Sequence, residues 1–415
     1  MLPYLRRIVD DELDDLLPAL SAVAIEGAKG VGKTRTAVER ARTIRRLDDP
    51  AEFDVARADP ARLLEGAAPV LIDEWQRLPE VWDLVRRRVD EGAAAGSFLL
   101  TGSAVPDPPP THSGAGRIVT VQMRPMALSE RFGGATVSLE ELLSGDRAPI
   151  AGATGVRLDE YVEAIVSSGL PAIRELPGRP RRAQLQGYLD RLVDRDIRDE
   201  AGVSIRNPET LRRWLAAYAA ASSSTASFET LRDAATAGEA DKPSKRTTQV
   251  YRDALARLWV LDDVPAWLPT TNRLHELGQA AKHQLVDPAF AAQLLGLTPT
   301  ALLASGRAML GPLFESLATQ SVRVYAQHHE AAVRHLRTAR GRQEVDLIVA
   351  RPDGRVVAIE VKLARTVDDG DVGHLRWLRQ RLGDELLDEV VLTTGPEAYR
   401  RADGVAVIPL ALLGP

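Results

Sequence analysis

Short apolar runs bounded by turn-forming residues punctuate the first third of the 415-residue chain, at 21–25, 53–58, 69–73, 97–101 and 117–123, with helical patterns between them. Runs of this kind separated by helices predict a parallel sheet covered on its faces, an α/β architecture. The stretch 107–116 is too rich in proline and glycine for a regular element and reads as a loop between the fourth and fifth strands. Helical patterning dominates from about 129 to 201, with breaks at Gly169-Leu170-Pro171 and between Pro177 and Pro180. A second helical unit covers 206–295, with a polar break at 237–244. Beyond it comes a helix at 311–325, then short apolar strands at 345–350, 356–361 and 389–393. These shifts divide the chain into 1–132, 133–205, 206–295 and 296–415.

Composition narrows the class. Hydrophobic content of 45% with 27% charged residues is that of a soluble globular protein rather than a disordered or fibrous one. There is no cysteine, which excludes disulfides and thiolate metal sites and makes the cytoplasm the expected compartment. The first twenty residues, MLPYLRRIVDDELDDLLPAL, are acidic and amphipathic and lack the uncharged core of a secretory signal. No apolar run approaches the length that spans a bilayer. A formal charge of −5 gives no global argument for nucleic acid, so any such argument rests on local basic faces.

The first apolar run leads into GAKGVGKT, residues 27–34. Gly27, Gly30 and Gly32 let consecutive backbone N–H groups curl round phosphate oxygens at a helix N-terminus. Lys33 is placed to reach the β- and γ-phosphates, the Thr34 hydroxyl to sit on Mg²⁺, and Arg35 opens the helix that follows and joins the nucleotide-binding set. The third run ends in Asp73-Glu74, where Asp73 would hold Mg²⁺ through water and Glu74 would polarise the attacking water as general base. The fourth ends in Ser103, a candidate for orienting that water near the γ-phosphate, with Thr101 behind it. Hydrolysis also needs a cation on the developing charge, often an arginine from a neighbouring subunit; Arg117 is the first candidate, followed by Arg124 and Arg131. ATP and Mg²⁺ are the expected cofactors.

GAKGVGKT, VLIDEW, FLLTGS and GRIVTVQMRPMALSE together resemble a group of prokaryotic AAA+ ATPases in which a P-loop domain is fused to a winged-helix region and a nuclease-like C-terminal domain. Ser168-Gly169-Leu170-Pro171 and the run from Tyr188 to Ile197 fit the same group. The resemblance implies an AAA+ P-loop domain over 1–132, a helical lid or connector over 133–205, a winged helix over 206–295 and an α/β nuclease-like domain over 296–415. It also implies active sites between subunits of a homo-oligomer, with a hexameric ring the expected form. Ser103 stands where many AAA+ proteins have Asn, and the sequence places no second-sensor arginine.

Residues 228–236, a turn and residues 244–258 read as helix, turn, helix, with a hairpin starting at Trp259. The second helix of such a unit presents its N-terminal side chains to a DNA groove. Lys245, Arg246, Thr247, Thr248, Gln249 and Arg252 have the chemistry for phosphate and base-edge contacts, and Val250, Leu255 and Leu258 are expected to face the core. The alternative is a packing module whose basic residues are solvated.

Near the C-terminus, Asp346 opens one apolar strand and Glu360 and Lys362 close the next, on one face by alternation. Two carboxylates can bind Mg²⁺, and the lysine can orient water for phosphodiester attack. The pattern resembles the PD-(D/E)xK nuclease fold, in which Glu315 on the preceding helix matches the first acidic position; the alternative is a scaffold retained without cutting. The expectation is therefore an ATPase that remodels or translocates on DNA, branched or Holliday-junction-like, as a ring. Its rivals are an ATP-licensed structure-specific nuclease and an ATP-dependent signalling or assembly switch without nucleic acid.

Overall fold

The computed structural model describes residues 4–106, 110–203, 205, 207–236, 243–269, 279–338 and 341–415. Parts of the 107–116 loop and of the 237–244 break lie outside them. Five parallel strands, β1 (Ala22–Glu26), β2 (Thr43–Arg46), β3 (Val70–Asp73), β4 (Phe98–Gly102) and β5 (Val119–Gln122), form a sheet of order β2-β3-β4-β1-β5. The strand carrying Asp73 is thereby separated from the P-loop strand by β4. Period-two alternation sorts the side chains: Val23, Ile25, Leu71 and Leu99 face one core, and Ala22, Ala24, Ile72, Phe98 and Leu100 face the other.

The run at 53–58 is not a strand. It lies in a helix, Pro50–Ala58, begun by Asp49, whose carboxylate accepts from the Ala51 amide over 2.8 Å, with Pro50 in the first turn. Thr43–Arg46 takes its place in the sheet as an edge strand, polar enough to leave no apolar run.

The second sheet has the order β7-β12-β13-β11-β10-β9-β8, built from β7 (Ala151–Ala153), β8 (Ala332–Arg337), β9 (Glu344–Ala350), β10 (Val356–Val361), β11 (Leu386–Thr393), β12 (Glu397–Arg400) and β13 (Ala406–Pro409). Its centre runs helix Arg307–His328, antiparallel β8, β9 and β10, helix Gly373–Leu382, then β11 parallel to β10. Residues expected in the connector join this part: β7 pairs with β12, and β6 (Val137–Ser138) pairs with β14 (Leu413–Gly414). Its outer face packs on the Gly373–Leu382 helix through Val356, Ala358, Leu375 and Leu378. The inner face shares one buried cluster with the first sheet and the helices between, from Val9 to Leu413.

The long Arg307–His328 helix joins these parts. Tyr161 meets Phe314 edge-on with ring centroids 5.4 Å apart, and the Leu128 and Ser129 amides donate to Ser321 Oγ and Tyr325 Oη. Along the chain between β7 and β8 come the helices Leu158–Ser167, Gly178–Arg191, Pro208–Ala220, Phe228–Ala235 and Lys245–Arg257. After the last of these, antiparallel bridges join Leu261 to Leu285 and Val264 to Lys282. Among the described residues no helix is long and apolar enough to cross a membrane.

Candidate functional site

The P-loop leaves β1 and folds back before the Lys33–Val38 helix. Close approach explains Gly27: a Cβ there would stand 2.2 Å from the Met123 carbonyl oxygen. Gly30 and Gly32 adopt φ of +80° and +111°, which other residues rarely take. Lys33 folds over the loop and donates to the Gly27 and Ala28 carbonyls at 2.8 and 3.0 Å. Burial lowers its ammonium to about 8, against the pull of Glu74, Asp73 and Glu200.

Opposite the loop, Asp73 Oδ1 accepts from Thr34 Oγ1 at 2.7 Å and from Thr101 Oγ1 at 2.5 Å. A hydroxyl and a carboxylate so placed are hard oxygen donors suited to Mg²⁺ beside a polyphosphate. Glu74 sits in the left-handed region at φ +59°, a strained conformation of a kind that gathers at functional sites. Its Oε2 accepts from Ser103 Oγ at 2.9 Å and from Gln76 Nε2 at 2.5 Å, and Gln76 Nε2 also donates to Ser103 Oγ at 3.0 Å. The expected base and the expected polar partner are thus in direct contact.

Four participants, Gln76, Lys29, Asp196 and Glu200, were not singled out by the motifs. Gln76 stands two residues past Glu74, a spacing with no periodic meaning on its own. Lys29, inside the P-loop, pairs with Asp196 at 2.9 Å and with Glu200. Glu200 Oε2 also lies 3.3 Å from Ser103 Oγ. Asp196 closes a π-helical turn, Leu192–Asp196, after the Gly178–Arg191 helix, and Glu200 stands four residues on. Burial raises the Glu200 carboxyl above its usual range, with Lys29 opposing. Asp196 belongs to the Tyr188–Ile197 run, but nothing local in that run points to the P-loop.

A cleft of about 420 Å³ opens beside the loop, lined by Tyr4, Leu5, Gly32, Arg35, Met123 and Pro171. Arg35 is half exposed there and pairs with Glu39 at 2.9 Å. Of the three candidate trans arginines, Arg117 alone is exposed, paired with Asp90 at 2.8 Å. Arg124 is buried against Asp262 and Gln327, and Arg131 is half-buried with bonds to the Ala164 carbonyl and Ser167. Both are engaged in bonds within their own chain.

On the Lys245–Arg257 helix, Lys245, Arg246 and Gln249 are exposed. Thr248 is not: it is buried and its hydroxyl donates to the Lys245 carbonyl, so it is a core residue rather than a base contact. Val250, expected inside, is exposed. The inward stripe is Thr248, Tyr251, Ala254, Leu255 and Leu258. Lys245 pairs with Glu229, and the Arg252 guanidinium stacks 3.6 Å over the Phe228 ring centroid, a packing contact that competes with phosphate binding. At the far end, the Val105 amide donates to the Arg257 carbonyl at 3.0 Å and Arg257 Nη1 donates to the Ala201 carbonyl at 3.2 Å. These partners are two residues past Ser103 and one past Glu200.

The C-terminal carboxylates converge as expected: Ile359 pairs with Leu347, so Asp346 and Glu360 follow in register. Asp346 Oδ2 accepts from the Val361 amide at 2.9 Å, and Lys362 Nζ lies 2.8 Å from Glu360 Oε2. Between them stands a side chain that no motif supplies. The buried Lys282 Nζ is 2.7 Å from Glu315 Oε1 and 3.3 Å from Asp346 Oδ1. Burial works against its charge, but Asp346 and Glu315 outweigh that and raise its pKa. Among the described residues no group of three or more His, Asp or Glu is arranged to hold a metal ion. Where the second Mg²⁺ was expected, the Lys282 ammonium supplies the countercharge of Glu315 and Asp346, and Lys362 that of Glu360.

Residues 20–132 match the family described as AAA domain. Residues 158–301 match a domain of unknown function, DUF8612, and residues 310–413 another, DUF4143. Among solved structures, the Walker-type ATPase PABY2304 of Pyrococcus abyssi matches at 14% identity with a TM-score of 0.38, over 71% of this chain and 98% of its own. No curated protein matches. The AAA match falls on the strands and loops that carry Lys33, Asp73, Glu74 and Ser103, so the N-terminal third is similar to a P-loop ATPase domain.

Proposed function

We propose that the protein is a Mg²⁺-dependent ATPase that works on DNA as a ring of identical subunits. The nucleotide reading rests on the P-loop geometry: Lys33 and the loop amides hold the phosphates, and the base enters the cleft of Tyr4, Met123 and Pro171. Thr34 and Asp73 would hold Mg²⁺, which supplies positive charge to the phosphate oxygens when bound. Glu74, held by Ser103 and Gln76, takes the proton of the attacking water. Arg117, the exposed candidate, supplies the cation to a neighbouring subunit's site.

The DNA reading rests on one observation. The Lys245–Arg257 helix exposes Lys245, Arg246 and Gln249 in its first turns, and hydrogen-bonds through Arg257 to the backbone beside Ser103 and Glu200. A phosphate backbone gripped at one end is thereby felt at the ATP site. The helix, three antiparallel strands, helix and parallel strand of the C-terminal part support kinship with the nuclease-like fold. Lys282 among its carboxylates favours a scaffold over a cutting domain.

The test is DNA affinity against salt for the wild type and for Lys245→Ala with Arg246→Ala. Each lost phosphate contact lowers the slope of log affinity on log salt by about 0.9 for duplex DNA. A drop of roughly two supports the assignment; an unchanged slope makes the helix packing material and removes the DNA from it.

A further inference from the structure

Two negative side chains from a distant part of the chain lie against the P-loop, where an ATP site calls for positive charge. Lys29 is pinned between Asp196 and Glu200. Glu200 goes further in: its Oε2 is 3.3 Å from Ser103 Oγ, which is itself 2.9 Å from Glu74 Oε2. Ser103 and Glu74 mark the end of the site where water attacks, so Glu200 stands at the γ-phosphate end. Asp196 pairs with Lys29 alone among these groups.

We propose that Glu200 is a specificity-determining residue of the nucleotide site: an internal carboxylate that competes with the γ-phosphate for Lys29 and Ser103 and sets the preference between tri- and diphosphate. The inference rests on the ATPase reading above. Two anions cannot share one small, partly buried position without a large repulsion, so a triphosphate must displace Glu200 from Lys29 and Ser103, whereas a diphosphate ends short of it. Lys29 then passes from Glu200 to the γ-phosphate as an exchange of one anion for another. The site closed by Glu200 is the nucleotide-free or diphosphate form; the site with Glu200 displaced is the triphosphate form.

The experiment is parallel titration of the full chain with a non-hydrolysable ATP analogue and with ADP, for the wild type, Glu200→Gln and Asp196→Asn. Glu200→Gln keeps the shape and removes the charge, so affinity for the analogue is expected to rise about tenfold while that for ADP stays within about twofold. Asp196→Asn, lacking contact with Ser103, is expected to move the ratio of the two affinities by less than about threefold. Glu200→Asp, one methylene shorter, is expected to shift the ratio in the same direction by less, and serves if the glutamine disturbs folding. An unchanged ratio in both Glu200 variants overturns the proposal, as does an equal gain for both nucleotides. If neither nucleotide binds the wild type or any variant, the ATPase reading itself fails and takes this inference with it.

Discussion

Ser103 Oγ and Glu74 Oε2 lie 2.9 Å apart, and Gln76 Nε2 donates to both, so the hydroxyl and the carboxylate are held as one unit across two neighbouring strands. The left-handed backbone at Glu74 costs on the order of 1–3 kcal/mol and persists because this triangle over-determines it.

Removing the bridge tests the unit. Gln76→Leu leaves Glu74 in place but frees it to rotate, which is expected to lower kcat about tenfold to a hundredfold while nucleotide affinity changes less than about threefold. Steady-state turnover with nucleotide titration checks it; equal losses in kcat and affinity would assign Gln76 to phosphate binding instead.

Lys33 makes opposite predictions for binding and for stability. Its pKa is lowered from 10.5 to about 8 by burial, and only the ammonium pairs with phosphate. Nucleotide affinity is therefore expected to fall by up to about tenfold per pH unit above 8. Folding responds the other way. Between about 8 and 10.5 the unfolded chain holds the proton that the folded chain has lost, so Lys33 makes stability rise with pH across that window. Below about 8 the cost of burying the charge is fully present. Lys33→Met is expected to lose both trends, seen as affinity at pH 7 and 9 and as denaturation midpoints over the same range.

Much of the candidate nucleotide site was legible because its chemistry is contiguous: a P-loop is eight adjacent residues, and Asp73, Glu74 and Ser103 end apolar strands. What was hidden has physical reasons. Thr43–Arg46 is an edge strand with polar side chains, so it left no apolar run, while Phe53 and Ala56 point inward from a helix three residues apart and mimic one. Thr248 and Val250 exchanged roles because the helix phase is set by Tyr251, Ala254, Leu255 and Leu258, and that stripe carries Thr248 with it. Glu200 and Lys282 come from segments about a hundred and about thirty residues from the nearest groups they pair with beyond their own neighbourhoods, Ser103 and Glu315. No periodicity reports a contact of that kind.

Lys282 gives the sharpest test of the C-terminal part. Lys282→Met leaves Glu315 and Asp346 buried without their cation, which is expected to cost about 3 kcal/mol of stability near neutral pH. The loss should shrink as pH falls and the Glu315 carboxyl, already raised by burial, takes up a proton. Urea denaturation across pH checks it. Undiminished stability in the variant, with Mg²⁺ raising the wild-type melting temperature in a manner lost in Asp346→Ala, would reinstate the metal site.

The most direct test of the central claim is the ATP turnover rate measured in parallel without DNA and with single-stranded, duplex and four-way-junction DNA. The account predicts that turnover rises with DNA, most with the junction, that Lys33→Ala and Glu74→Gln abolish it, and that Lys245→Ala with Arg246→Ala keeps the basal rate but loses the stimulation. The same rate with every form of DNA as without it would contradict the account and leave an ATPase with another partner.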